Sequence, residues 1–193
     1  DLVLDGNTTL TSQSGGDIAF GLASGAFDLT IDTAGTTTIG GASGLGSLTT
    51  DAAGDAVVQG DVNALGQIDL GESVLFTGTI ATNRTVQSVN GGVRFGGTVF
   101  GAGNLEITSA TGTVFADGAG DASDPLNSLI VHGSASLAGA FYTSLVQGYL
   151  GATTLTGDVT IVSLNASAVT FGGTIDSTTP HALSVSTILG STV

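Results

Sequence analysis

One stretch of this chain recurs at a near-constant interval, and that recurrence leaves few folds open. Val93-Arg94-Phe95-Gly96-Gly97-Thr98-Val99 reappears downstream as Val169-Thr170-Phe171-Gly172-Gly173-Thr174-Ile175. Upstream it is echoed by Ile18-Ala19-Phe20-Gly21, followed by Leu29-Thr30-Ile31. Phe20 and Phe95 lie 75 positions apart, Phe95 and Phe171 lie 76 apart, and Leu29 and Leu105 also lie 76 apart. Ser47-Leu48 returns as Ser128-Leu129 at 81. A β-sandwich or barrel has no need of a phase-locked repeat. A stacked array does, because equivalent positions lie on one another.

Inside each repeat, short runs alternate apolar and polar residues at period two. Leu2 and Leu4, Ile18-Ala19-Phe20, Leu29-Thr30-Ile31 and Thr36 to Ile39 read this way. Glycine breaks them every ~9–12 residues, and no stretch shows a capped helical period. The chain is therefore predicted to be all-β. The fold is a β-solenoid of roughly 8–10 coils, each of ~19–26 residues. It spans residues 1–193 as a single segment built from ~76–81-residue super-repeats. Val, Ile, Leu and Phe should point inward, Thr and Ser outward, with Gly at the corners. The interval predicts that Phe20, Phe95 and Phe171 hold equivalent inward positions. Between Phe115 and Leu129 the second repeat runs long, so residues 116–125 read as an insertion loop. A transmembrane β-barrel would need aromatic girdles and longer strands, and only 5% of residues are aromatic.

Composition removes whole classes of function. The chain carries 2 Arg or Lys against 16 Asp or Glu, a net charge of −14. Phosphate-backbone binding runs on Lys and Arg, so no nucleic-acid partner is expected. No uninterrupted apolar run is long enough for a transmembrane helix, so no membrane insertion of this segment is expected. There is no cysteine, hence no disulfide framework. There is no methionine either, and the chain reads as a processed or excised piece of something longer.

A resemblance joins these observations. Phe95-Gly96-Gly97-Thr98-Val99, Phe171-Gly172-Gly173-Thr174-Ile175 and Leu48-Thr49-Thr50-Asp51-Ala52-Ala53-Gly54 resemble the repeats of filamentous-haemagglutinin-like surface exoproteins, large secreted bacterial proteins of the adhesin type. The likeness is one of repeat style and covers nearly the whole chain. It implies a right-handed parallel β-helix at an extracellular, bacterial cell-surface location. It brings no catalytic residues with it.

Chemistry-bearing residues are sparse. The densest acidic cluster is Asp117, Asp121 and Asp124, all within the insertion. Carboxylates on one glycine-rich loop could wrap Ca²⁺, although the spacing is not that of an EF-hand. Read plainly, the segment is a solvated turn. No other cofactor is expected. His132 and His181 stand alone in different repeats, short of the three or four ligands a zinc site gathers. Arg84 and Arg94 read as partners of nearby surface acids. Tyr142 and Tyr149 read as packing residues. The Thr runs fall too unevenly for a flat threonine array.

The expectation is a non-enzymatic structural or adhesive stalk segment of a large secreted or cell-surface protein. Its partners would be surface glycans or cell receptors, with head-to-tail self-association through the solenoid ends as a further possibility. The alternatives are a subunit of a homopolymeric extracellular filament and a carbohydrate-active β-helix enzyme. The enzyme would need paired carboxylates, which no local motif favours.

Overall fold

The computed structural model describes residues 1–188; positions 189–193, the end of the expected 1–193 segment, lie outside the described residues. Among the described residues the chain is all strand and turn, and every strand pairing is parallel. It forms a β-solenoid of about nine coils, as the alternation and glycine spacing predict. Among the described residues no helix is long and apolar enough to cross a membrane.

Each coil visits three faces in turn. Face 1 stacks Thr8–Ser12, Asp28–Thr33, Ser47–Thr50, Ile68–Leu70, Val93–Phe95 and Thr113–Phe115. It continues through the openings of Ala135–Thr143 and Thr153–Ser163 to Ile175–Ser177. Face 2 begins with the first half of Ile18–Ser24 and ends with Leu183–Thr187. Face 3 begins with Leu2–Val3 and runs through Asn83–Ser88, Asn104–Ser109 and Ser128–His132 to Val169–Phe171. The pairings are parallel because each strand meets its counterpart from the previous coil travelling the same way. At ~4.8 Å per stacked strand, nine coils make a rod about 40 Å long.

The core is three inward rows. On face 1 the row Leu10, Ile31, Thr50, Leu70, Phe95, Phe115, Leu137 and Leu155 is in direct register. Face 2 contributes Ala56, Val74, Val99, Ala119, Phe141 and Ile161. Face 3 contributes Val62, Val86, Ile107, Val131 and Tyr149. Nearly all these side chains are fully buried. Bulk is shared across the lumen: in the sixth coil face 1 supplies Phe115 and face 2 the small Ala119, and both are buried. This is the large-against-small matching that dense interiors require.

Two expectations need correction. Phe20 lies on face 2, Phe95 on face 1 and Phe171 on face 3. All three contact the core, yet their positions are not equivalent. The reason is coil length. Successive face-1 positions Leu29, Leu48, Ile68, Val93, Thr113, Ala135, Thr153 and Ile175 are 19, 20, 25, 20, 22, 18 and 22 residues apart. An interval of 76 is no whole number of such coils, so the motif moves to another face at each return. The second correction concerns hydroxyls. Thr33, Thr37, Thr50, Ser88, Thr113, Thr143 and Ser163 are buried rather than outward. Corners interrupt the ladders and leave backbone groups to be satisfied. Inward hydroxyls do this: Thr33 Oγ1 donates to the Gly16 carbonyl at 2.7 Å, and Ser88 Oγ to the Gly66 carbonyl at 2.6 Å.

Candidate functional site

On a rod of similar coils, the places that differ are the candidates. Among the described residues the two longest loops are 77–82, before Asn83–Ser88, and 120–127, before Ser128–His132. Both leave the corner between face 2 and face 3, in the fourth and sixth coils. The fifth coil turns that corner with residues 101–103 alone, and the two loops meet across it. Asn127 Nδ2 donates to the Ile80 carbonyl at 3.1 Å, and the Asn127 amide to the Gly103 carbonyl at 3.0 Å. The product is a ridge along one edge, with Ile80 at 68% exposure.

Each half of the ridge is internally braced. In the first loop the Thr79 amide donates to Thr82 Oγ1 at 2.8 Å and the Thr82 amide to the Thr79 carbonyl at 2.8 Å. In the second, Asp121 Oδ1 accepts from the Ser123 amide, the Ser123 hydroxyl and the Asp124 amide at 2.7, 2.7 and 2.8 Å. These bonds, that of the Ser123 hydroxyl above all, hold the Asp121 carboxyl below its ordinary range. Buried Leu126 roots this loop, its amide donating to the Tyr142 carbonyl at 3.1 Å.

A shallow groove of about 310 Å³ runs beside the ridge on face 3, lined by Asn83, Arg84, Asn104, Leu105, Glu106, Ser128 and Ile130. An amide ladder crosses it. Asn104 Nδ2 donates to Asn83 Oδ1 at 2.8 Å, and Asn127 Nδ2 donates to Asn104 Oδ1 at 2.7 Å. Ser128 Oγ donates to the same Asn104 oxygen at 2.7 Å. His132 Nε2 and Glu106 Oε1 face each other at 2.7 Å across neighbouring coils. The groove thus offers amides, a hydroxyl, the Glu106 carboxylate with His132 beside it and the Arg84 side chain on a fixed lattice, a surface suited to hydroxyl-rich ligands.

The residues singled out in the sequence fall as follows. Asp117, Asp121 and Asp124 do not converge: Asp117 Oδ2 accepts from Thr98 Oγ1 at 2.8 Å, while Asp121 turns into its own loop. No group of three His, Cys, Asp or Glu able to hold a metal ion is gathered among the described residues. The insertion is narrower at its start than 116–125, because Gly118–Ala119 is a face-2 strand. His132 meets the groove residue Glu106 without lining the groove itself, and His181 of the last coil lies 3.8 Å from Asp158. Arg94 pairs with Asp69 directly opposite at 2.8 Å, as expected of a surface cation. Arg84 does not follow that expectation. It stands in register with buried Leu105, and its buried Nε lacks a hydrogen-bond partner. Tyr142 is half-buried, whereas Tyr149 is fully buried and donates to Gln147 Oε1 at 3.0 Å.

The loop at 77–82 was not marked by the sequence, since Thr77-Gly78-Thr79-Ile80 has the same composition as an ordinary corner. The available signal was the longer interval from Ile68 to Val93. No family model, no curated protein and no solved structure matches this chain.

Proposed function

We propose that this chain is a non-enzymatic stalk segment of a large extracellular surface protein, and that it presents its ridge and the adjoining groove to neutral surface glycans. One observation carries the reading: a nearly uniform nine-coil rod whose two longest loops are joined into one feature, Asn127 to Ile80, beside a groove of amides and hydroxyls. Rigidity supports presentation, and loops on a rigid scaffold are where binding is usually grafted. The net charge of −14 disfavours polyanionic ligands and leaves uncharged saccharides as the better match.

The test is a glycan array probed with the intact segment and with a variant whose loops 77–82 and 120–127 are cut to the length of the 101–103 corner. Binding to neutral glycans that the shortened variant loses is expected. Equal binding by both would remove the ridge from the reading. Cleavage of any glycan, abolished by Glu106→Gln, would replace the stalk reading with the carbohydrate-active enzyme.

A further inference from the structure

Ile68, Leu70, Glu72, Val74 and Phe76 alternate at period two, and the alternation carries a carboxylate into the inward phase. Glu72 sits at the corner between face 1 and face 2 of the fourth coil and is 3% exposed. From the coil below, Thr50 Oγ1 donates to Glu72 Oε2 at 2.5 Å. The other oxygen, Oε1, is buried and has no hydrogen-bond partner.

The coil above closes the corner with two glycines. The Gly97 amide donates to the Glu72 carbonyl at 3.2 Å, and the Gly96 amide to the Leu70 carbonyl at 2.8 Å. A Cβ on Gly97 would stand 2.6 Å from the Ser73 nitrogen and 2.9 Å from the Glu72 carbonyl carbon. The seal therefore depends on the missing side chains.

The charged groups facing Glu72 are all of its own sign. Asp51 and Asp55, both in the coil below, raise the cost of ionising it, and the coil above meets it with the uncharged corner Gly96-Gly97-Thr98. None of the ion pairs among the described residues includes Glu72. Burial above all, opposed by the Thr50 hydrogen bond and by its own backbone amide, raises its carboxyl to about 7 from an ordinary 4.5.

We propose that Glu72 is a proton-dependent lock on the corner joining the third, fourth and fifth coils. Protonated, the side chain stays buried as a neutral acid and the glycine corner seats on it. Ionised, it carries a buried charge with one oxygen unpartnered, and water enters the corner to solvate it. The sign follows from linkage. Between the unfolded and folded values the native chain holds a proton that the unfolded chain has released. The contribution is therefore fully present below about 4.5 and is lost as pH rises through about 7. This proposal does not depend on the stalk reading.

The chain contains two glutamates, Glu72 and Glu106. Protein labelled with ¹³C at glutamate should show two carboxyl carbons, titrated by NMR from about pH 4 to about pH 9. One is expected to titrate near neutrality and to vanish in Glu72→Gln. Should that variant fail to fold, Glu106→Gln on the exposed face assigns the pair by elimination. Hydrogen exchange reads the lock itself. After correction for intrinsic rates, the Gly96 and Gly97 amides should lose about tenfold in protection between pH 6 and pH 8.5. Two carboxyls that both titrate in the ordinary range would overturn the proposal. So would a neutral-range titration with unchanged protection at those glycines.

Discussion

Phe95 and Phe115 stack one coil apart in direct register, ring centroids 5.1 Å apart and planes 20° from parallel. The pair is the centre of a longer spine. Phe76, Phe95, Phe115, Phe141, Tyr149 and Phe171 follow one another at centroid distances of 6.2, 5.1, 5.4, 6.1 and 5.4 Å. The spine does not keep to one row. It starts on face 2, passes to face 1, returns to face 2 and ends on face 3. The lumen is narrow enough for rings from different faces to meet, so aromatic contact joins coils where the rows themselves do not align.

Removing a ring from the centre of this spine should cost about 3–5 kcal/mol, the transfer energy of the side chain plus the cavity left behind. Phe95→Ala is expected to fall in that range in urea unfolding. Phe20→Ala is expected to lose less, because Phe20 is only half-buried and lies outside the spine. Equal losses at the two positions would contradict the distinction.

The fold was legible because its cause is local. Alternation at Leu29-Thr30-Ile31 or Ile68-Asp69-Leu70 is enough to mark a half-buried strand, and glycine between strands marks the corner. The vertical register was not legible. It depends on the running sum of coil lengths, and lengths that vary from 18 to 25 residues move the repeated motif to another face at each return. Half of the ridge could be read from Asp121 and Asp124. The other half could not, because Asn127 meets Ile80 only over the short 101–103 corner between them. Glu72 lay in plain alternation with Leu70 and Val74, and its inward phase was the readable sign.

Glycines with positive φ differ in what they protect. Gly118 has φ +86°, and a Cβ there would collide with the Ala140 carbonyl oxygen and stand 2.7 Å from the Ala140 nitrogen. Gly44 has φ +66° with nothing within 4 Å of such a Cβ. Gly44→Ala carries only the left-handed backbone penalty and should cost about 1–2 kcal/mol. Gly118→Ala adds a backbone collision between coils and should cost more than about 3 kcal/mol. Thermal unfolding of the two variants side by side checks the order.

Gln147 and Tyr149 form a closed polar relay within the core. Tyr149 Oη donates to Gln147 Oε1 at 3.0 Å, and Gln147 Nε2 donates to the Phe141 and Val162 carbonyls at 3.3 and 3.0 Å. Burial pushes the Tyr149 phenol far above its ordinary value, so it remains a donor. Gln147→Leu strands the phenol and removes the side-chain donations to the two strand carbonyls, and about 2–3 kcal/mol should be lost. Tyr149→Phe strands a single oxygen and should lose about 1–2 kcal/mol. A double-mutant cycle in urea should give a loss well below the sum, since each change removes the same Tyr149–Gln147 bond.

Asp121 is expected to hold its turn rather than a cation. Its Oδ1 already accepts three hydrogen bonds, and neither Asp117 nor Asp124 joins it in a metal-holding group. Its carboxyl lies below the ordinary 3.8. The contribution is therefore present above that value and lost as pH falls through the depressed one. Calorimetry with Ca²⁺ should give the same heats for wild type and Asp121→Ala. Exchange at the Ser123 and Asp124 amides should quicken in the variant at neutral pH. Calcium heats that disappear in the variant would return the loop to the metal reading.

The ridge stands or falls with Asn127. Its side chain reaches two places, the Ile80 carbonyl on the neighbouring loop and the Asn104 side chain in the groove. Its backbone amide stays on Gly103 whatever the side chain is. Asn127→Ala should therefore leave the coils in place and cost about 1 kcal/mol or less, as expected for a partly exposed hydrogen-bonding side chain. Its effect should be local. Loop 77–82 loses its only side-chain tie to the neighbouring loop among the described residues, while the Thr79–Thr82 turn remains. Hydrogen exchange should rise across 77–82 and stay level in the face-3 strand Asn104–Ser109. If the ridge presents the ligand, affinity for the bound glycan should drop by more than the change in stability accounts for, since the loss is of preorganisation. Unchanged exchange across 77–82 would mean that the two loops are held independently, and the ridge would then be two separate turns.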